Sequence, residues 1–378
     1  MKKVAILSTG HPPFDERIFD KIGKSLTKLG YEVTIIVTTQ SINTNKDGIQ
    51  ITGNNSEKIR QNFLNKSNFI IKSLQKFNPD LIIGCEPVPI IIAFIFTLLQ
   101  KRKSPSKIIY DVTEWYPENI YLKRRGLKKF SLFIAGHLIN FISTNIADYL
   151  FIGEETKLPR YRKYSPKKKY SIISYYPVLE YYSPSPEKPV DNKIIFGYAG
   201  VISVSRGLDI FYQIIKTLKE KTNFQPGFIL IGRFELEDEK IYLEKFKSLD
   251  IEFNYYNWTD YHEFSKFLKP VHICFDIRLP NKIYERSLPI KIFDYMAVGK
   301  CIVASNYEPI KKIFEIANCG ILVEPTNIED IVQKILELIE SPELIYEYGI
   351  NGRNAVEKYF NWRICEEELK NALSSLMK

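Results

Sequence analysis

An α/β fold of two Rossmann-like, doubly wound domains facing a central cleft is what this sequence predicts. Three observations carry the prediction. Short apolar runs alternate with amphipathic stretches of helical period, a Pro-rich segment interrupts the alternation near the middle, and the alternation then restarts. The 378 residues suffice for two domains of ordinary size, and 45% apolar content suits packed cores.

The elements follow in order. Val4–Ser8 reads as a buried strand, and Arg17–Leu29 as a helix with Ile18, Phe19, Ile22, Leu26 and Leu29 on one face. Gly30 ends that helix, and Val33–Val37, Leu81–Ile83, Ile108–Tyr110 and Tyr149–Ile152 are further strands. Residues 177–192 hold Pro177, Pro184, Pro186 and Pro189 among Ser and charged residues, the composition of a linker. After it come strand Ile194–Tyr198, helix Leu208–Lys221, and strands Phe228–Ile231, Ile251–Tyr255 and Val271–Phe275. Helix Pro289–Val298 and strand Ile302–Ala304 follow, and Thr326 with Glu329 forms a capping box for the next helix. The expected domains are 1–176 and 193–360, joined by 177–192, with 361–378 a helix packing back on the first domain. Alternation of this kind implies parallel strands with ligands at their carboxyl ends.

Charge divides the chain. Residues 1–180 hold 28 Lys/Arg against 15 Asp/Glu, a net of +13, whereas 181–378 hold 25 against 29, a net of −4. The cations cluster at Lys101-Arg102-Lys103, at Lys123-Arg124-Arg125 with Lys128-Lys129, and across Lys157–Lys169, beside apolar stretches such as Phe130–Ile134. A charge run is commonly only a solvated face. Three runs beside apolar residues point to an anionic membrane surface as partner, with no recognition signature for nucleic acid. The five cysteines include no C-x-x-C, which argues against a disulfide framework or a zinc site and suits a reducing cytoplasm. Val88–Leu99, the longest apolar stretch, contains Pro89 and is far below the roughly 20 residues of a bilayer span.

Five segments can carry chemistry. In 285–299, Ser287 suits a helix cap, Pro289 its first turn and Gly299 its end. Such a helix start favours an anion, Lys291 adds charge there, and Asp294 lies one turn in, where a ribose diol could donate to it. The alternative is an ordinary amphipathic helix with Ile292, Tyr295 and Met296 in the core. Gly197-Tyr-Ala-Gly200 before Arg206 is a glycine turn that lets backbone approach phosphate, with Arg206 able to bind it in two-pronged fashion. Ile231-Gly232-Arg233 is a similar strand end, Arg233 being equally readable as a solvated charge. The loop His11-Pro-Pro-Phe-Asp15-Glu-Arg17 follows the first strand, with His11 placed for a proton or phosphate role. Asp111 and Glu114 close the Ile108–Tyr110 strand, as functional acids or as solvated carboxylates.

The segment Ser287, Pro289, Lys291, Asp294-Tyr-Met-Ala297, Gly299-Lys300, then Val303-Ala-Ser305, resembles the donor-binding signature of family 4 glycosyltransferases of the bacterial surface-polysaccharide type. These are retaining enzymes of the GT-B fold. The resemblance implies transfer of a hexose-type sugar from a nucleoside diphosphate donor, UDP rather than GDP, to a glycan or lipid-linked acceptor. It implies no metal and no cofactor, while the cysteine pattern and the basic runs suit a cytoplasmic enzyme peripheral at the inner face of the cell membrane. Asp294 would hold the ribose, the turn Ser287-Leu288-Pro289-Ile290 would offer amides to the phosphates and sugar, and Gly200, Gly232 and Arg233 would line the donor site. Arg206 and Lys291 would stabilise the leaving diphosphate. His11 and Glu114 would assist catalysis, with Asp15, Arg17 and Asp111 on the acceptor side. The sequence departs from the pattern at Arg286, where many members have a sugar-contacting Glu and Glu285 is the neighbouring substitute, at Val201, where a second cation is usual, and at Thr113, where His is usual. A nucleotide-sugar epimerase and a non-catalytic sugar-nucleotide-binding partner are the rival readings.

Overall fold

The computed structural model describes residues 2–100, 104–122, 124–190, 192–257 and 261–376. The Lys101-Arg102-Lys103 run and Lys123 lie outside the described residues. The chain forms two units: residues 1–175 with 363–378, and residues 176–362.

The first unit is built on eight strands: β1 Lys3–Ser8, β2 Glu32–Val37, β3 Ile42–Lys46, β4 Ile49–Gly53, β5 Leu81–Gly84, β6 Lys107–Val112, β7 Tyr149–Ile152 and β8 Tyr170–Ile172. Their order is β3-β4-β2-β1-β5-β6-β7-β8, parallel except where β3 turns back antiparallel on β4. Its β3 is polar and largely exposed, so no apolar pattern announces it, whereas β4 buries Ile49 and Ile51 in a short alternating stretch. Val4 to Leu7 and Leu81 to Ile83 have no exposure, the signature of strands covered on both faces. Pro87 and Pro89, which look like an interruption in the sequence, open the Pro87–Leu99 helix at its first turn, where a missing N–H costs nothing. The Arg17–Leu29 helix is in fact a wide π-type segment, Glu16–Gly23, running into α-helix Lys24–Lys28. The C-terminal Trp362–Leu376 helix enters this unit through a bond from Cys365 Sγ to the Ser174 carbonyl at 3.6 Å.

The second unit has six parallel strands: β9 Lys193–Ala199, β10 Gln225–Ile231, β11 Glu252–Tyr256, β12 Ile273–Asp276, β13 Cys301–Ser305 and β14 Gly320–Val323, in the order β11-β10-β9-β12-β13-β14. Phe211 stacks on Phe275, and Phe275 on Phe196, with ring centres 5.1 and 5.0 Å apart. Each such buried ring contributes about 1.5–3 kcal/mol. The Pro-rich residues 177–192 lie along this unit: Ser185 N donates to Val298 O at 2.8 Å, and Tyr182 is buried in the core. The expected Thr326 cap is displaced by one residue. Asn327 caps the Ile328–Ile339 helix by accepting from Asp330 N, while Thr326 Oγ1 donates to Glu324.

Candidate functional site

In each sheet the strand order reverses at one place, between β1 and β5 in the first unit and between β9 and β12 in the second. The carboxyl ends of strands at such a reversal are where open α/β sheets bind ligands. Both places hold clusters of buried charge.

In the second unit, β9 ends at Ala199 and passes into Gly200 at φ +125°, whose N–H donates to Ile231 O at 2.9 Å. Gly232 closes β10 at φ +129°, and a Cβ there would sit 1.8 Å from Gly200 O, so only glycine lets the two strand ends meet. Lys291, in the first turn of the Ile290–Val298 helix, brings its ammonium to this turn. Its Nζ lies 3.8 Å from the centre of the Tyr198 ring and 3.6 Å from Asp276 Oδ1, beyond hydrogen-bond reach, and it has no hydrogen-bond partner among the described residues. Burial pushes the Lys291 pKa well down; Asp276 opposes this, while Arg278 and Arg206 add to it. Arg278 donates from Nε to Asp276 Oδ1 at 2.9 Å. Arg206 lies in the Val204–Arg206 turn after β9, its guanidinium 5.6 Å from the Tyr284 ring, with Nε buried and likewise unpartnered. Two cations, Arg278 and Lys291, thus lie against the Asp276 carboxylate, with the charge of Arg206 also acting on Lys291, and Asp276 Oδ2 has no partner among the described residues. A polyanion entering here would satisfy donors that the protein leaves unsatisfied.

The helix start differs from its expected form. Ser287 does not cap it. The cap position is Pro289, with no side-chain bond, and Ser287 N is drawn back to Ile283 O at 2.9 Å. That turn is set by Asn281, whose Oδ1 accepts from Ile283 N and Tyr284 N. Glu285 is exposed; after burial, its charge is the main influence pushing the Tyr307 hydroxyl up to about 12. Leu288 packs on the core, and Pro289 is buried beside half-buried Ile290. Asp294, one turn in, accepts from Tyr182 Oη at 2.7 Å. Gly299 ends the helix at φ +78°. Arg233 is exposed, and its carbonyl accepts from Ile202 N.

In the first unit, Glu86 follows β5 and fastens the loop after β1. Its carboxylate accepts from Ser8 Oγ at 2.5 Å, Thr9 N at 2.9 Å and Gly10 N at 3.1 Å. Burial raises its pKa, against the pull of His11 and these bonds. His11 Nδ1 lies 3.1 Å from Asp15 Oδ2, and its Nε2 lies 3.8 Å from Glu86 Oε1. Burial opposes its protonation, but the Asp15 hydrogen bond and the charges of Asp15, Glu86 and Glu114 outweigh it and push His11 up to about 9. At neutral pH this ring is a cation and a donor. Asp15 also caps the helix that follows, accepting from Arg17 N and Ile18 N. Glu114 is exposed at the same rim.

Arg17 and Asp111 do not face an acceptor. They are 1% and 0% exposed and bind each other through Nε–Oδ2 and Nη2–Oδ1 contacts of 2.8 and 2.6 Å. The Arg17 guanidinium is further covered by the Tyr175 ring at 4.3 Å. Thr113 is likewise buried, its hydroxyl bound to Cys85 O at 3.0 Å. The structure therefore gathers Gly200, Arg206, Gly232 and Lys291 in one unit, and His11, Asp15 and Glu114 in the other. Sequence reasoning missed Tyr198, Asp276 and Arg278 in the first group and Glu86 in the second. The available signal was their place just at the ends of predicted strands.

Residues 183–355 match the family model Glycosyl transferases group 1. An uncharacterized glycosyltransferase of Methanocaldococcus jannaschii is 30% identical over 194 residues, 49% of this chain and 46% of that protein, so the match spans less than half of that relative. An uncharacterized glycosyltransferase of Haemophilus influenzae is 26% identical over 97% of this chain and 99% of its own length. Among solved structures, sucrose-phosphate synthase from Thermosynechococcus elongatus superposes with a TM-score of 0.79 at 13% identity, covering 100% of this chain and 99% of that one. Anabaena HepE, solved in complex with UDP-glucose, does so at 0.72 and 14% identity, covering 100% of both chains. The fold is the GT-B type, and the similarities found for residues 183–355 and along the chain are to glycosyltransferases.

Proposed function

We propose that the protein transfers a hexose-type sugar from a nucleoside diphosphate donor to a glycan or lipid-linked acceptor, with retention of configuration and without a metal ion, in cell-surface polysaccharide synthesis. The observation that carries this reading is the cation cluster of the second unit, where Lys291 Nζ and Arg206 Nε are buried without a hydrogen-bond partner among the described residues, at the reversal of strand order. A diphosphate is the ligand class that suits three neighbouring cations beside a glycine turn. In a transfer reaction its charge grows as the sugar departs, so cations placed there favour the transition state over the ground state. Arg278 takes the place of the cation missing at Val201, held in position by Asp276. Asp294, steadied by the Tyr182 hydroxyl, receives the ribose. UDP is favoured as the base carrier by the UDP-glucose bound to HepE.

In the first unit, cationic His11, ordered by Asp15 and Glu86, offers a proton donor to the sugar or its phosphate, and Glu114 lies toward the acceptor. Arg17 and Asp111 keep a positioning role: they fix the loop that bears His11. The basic first unit meets an anionic membrane surface at the inner face of the cell, where a lipid-linked acceptor resides.

The test is incubation with UDP-glucose, UDP-galactose and GDP-mannose, with and without a membrane extract as acceptor source, and with EDTA. Acceptor-dependent release of UDP that survives EDTA, with a product whose anomeric configuration matches the donor by NMR, is the expected result. Interconversion of free sugar nucleotides without acceptor would instead reveal an epimerase. Tight donor binding with no product would reveal a binding partner.

A further inference from the structure

The Gly126–Ile146 helix of the first unit is turned inside out. A surface helix ordinarily buries its apolar side chains and shows its polar ones. Here the packed face carries Asn140, Ser143 and Thr144, all fully buried. Each is tied down: Asn140 Oδ1 accepts from Tyr110 Oη at 3.0 Å, Ser143 Oγ donates to Pro87 O at 2.9 Å, and Thr144 Oγ1 donates to Asn140 O at 2.7 Å. The Asn140 and Ser143 bonds reach outside the helix and fix it about its axis, so it cannot roll to hide its other face, while the Thr144 bond is internal to it. That face shows Leu127, Phe130, Ile134, Leu138, Phe141 and Ile142, between 38% and 88% exposed. Their spacing of three and four residues keeps them on one stripe. The helix has 21 residues, a length of about 30 Å. Leu98 and Leu99, on the Pro87–Leu99 helix that packs against it, are also exposed. A contiguous apolar surface of this kind marks an interaction site.

Charge selects the partner. Residues 126–146 contain Lys128 and Lys129 and no acid, and exposed Arg124 and Arg125 precede them. A second copy of the same face would set these cations against their like. A protein partner would need its own acids, whereas an anionic bilayer supplies both the apolar boundary and the negative headgroups. No helix among the described residues is long and apolar enough to cross a membrane. This helix, bonded to its own unit along one face, is suited to lie in the interface.

We propose that the Gly126–Ile146 helix docks the protein on anionic lipid, its apolar stripe in the acyl boundary and Arg124, Arg125, Lys128 and Lys129 against the headgroups. The basic run Lys157–Lys169, the largest in the sequence, is partly occupied with internal structure. Lys168 Nζ donates to the carbonyls of Asn145 and Ala147, closing the end of the same helix, and Lys157 is buried against Glu154 and Thr113. Apolar insertion therefore dominates the docking, with charge as its complement. The proposal rests on the transferase reading only for its purpose, access to a lipid-linked acceptor.

The experiment is flotation of the whole protein with vesicles of phosphatidylglycerol and phosphatidylcholine in equal parts, and with phosphatidylcholine alone. Wild type is expected to float with the mixed vesicles. The Phe130→Ser, Ile134→Ser, Leu138→Ser triple variant is expected to lose at least tenfold in partitioning, with an unchanged melting temperature because these side chains are exposed. Phe130→Trp is expected to show a blue-shifted emission on adding mixed vesicles. Flotation of the triple variant at the wild-type level overturns the proposal. So does a wild-type dimer in light scattering that the triple substitution dissolves, since the stripe would then be a contact between copies. Sugar transfer to a soluble acceptor is measured on the same samples: its absence in both proteins would sink the transferase reading while the flotation result stands by itself.

Discussion

The Arg17–Asp111 pair of the first unit and the Lys291–Asp276 pair of the second are both buried, yet they are finished to different degrees. Arg17 and Asp111 meet through two hydrogen bonds and a covering Tyr175 ring, so each charge is answered by the protein itself. Lys291 stands off Asp276 at 3.6 Å, with Arg206 and Arg278 nearby and donors unpartnered. Burying an ion is costly unless it is paired. The first arrangement is complete and serves the fold. The second is incomplete among the described residues, which is what the proposed donor site would use. Two ion pairs that look alike as residue types thus differ in how far the protein itself satisfies them, and on the proposed reading one serves stability and the other function.

Substitutions test that contrast, the largest effect first. Arg17→Met strands the buried Asp111 carboxylate and should cost about 3–5 kcal/mol of stability, read by urea unfolding of the whole chain. A loss below ~1 kcal/mol would mean the pair is not what holds the loop. Lys291→Met should do the reverse: the melting temperature holds or rises, because a desolvated ammonium is removed, while turnover falls on the order of a hundredfold or more, about 3–4 kcal/mol at the transition state. A lowered melting temperature with wild-type turnover would invert the distinction between the two pairs. Asp294→Asn should weaken UDP-sugar binding by roughly 1.5–3 kcal/mol in calorimetry, the range of a hydrogen bond to a charged group. Tyr182→Phe is the companion variant. If both lower stability equally and neither changes donor affinity, Asp294 is an anchor for Tyr182 and leaves the donor site.

The smallest effect is in pH. His11 has a folded-state pKa of about 9, above its ordinary value. Its pairing therefore contributes stability fully below about pH 6.5 and loses it as pH rises through 9. The side chain is partly open to water, so the contribution is on the order of 1–2 kcal/mol. The difference in stability between wild type and His11→Gln should shrink over that window. Lys291, whose pKa is depressed, has the opposite slope, with stability rising as pH approaches the usual lysine range. A pH-independent His11→Gln difference would mean that the ring is neutral throughout.

Most of the architecture was legible in the residues. Tyr149–Ile152 and Leu208–Lys221 are bounded in the structure as the apolar patterns place them, and the other predicted strands differ by one to three residues at their ends. Fully buried parallel strands are short, apolar and bounded by turns, and that signal is local. The edge strand β3 was hidden because a polar, exposed edge strand has no such signal, and β4 offers only the short alternation Ile49-Gln50-Ile51. Caps were less legible. Ser287 and Thr326 are good capping residues by type, yet the backbone starts its helices at Pro289 and Asn327 instead. The choice among neighbouring cap residues depends on how the preceding turn enters, and for Ser287 that turn is set by Asn281.

The site divides the same way. Residue type and spacing marked Gly200, Arg206, Lys291 and Asp294 as candidates, because a glycine turn, a nearby cation and a helix start lie within short stretches of chain. Sequence could not give Asp276 and Arg278, or Glu86, because their importance comes from β12 lying beside β9 and β5 beside β1. Nor could it tell that Asp111 would be closed off by Arg17, 94 residues away, or that the helix at 126–146 would hide its polar side and expose its apolar one. Local pattern fixes which segments become strands and helices, since period and turn chemistry act over a few residues. Which side chains are answered within the protein and which are left for a ligand or a membrane is decided only when distant strands and helices come into contact. Burial and pairing are properties of that contact and of no single segment.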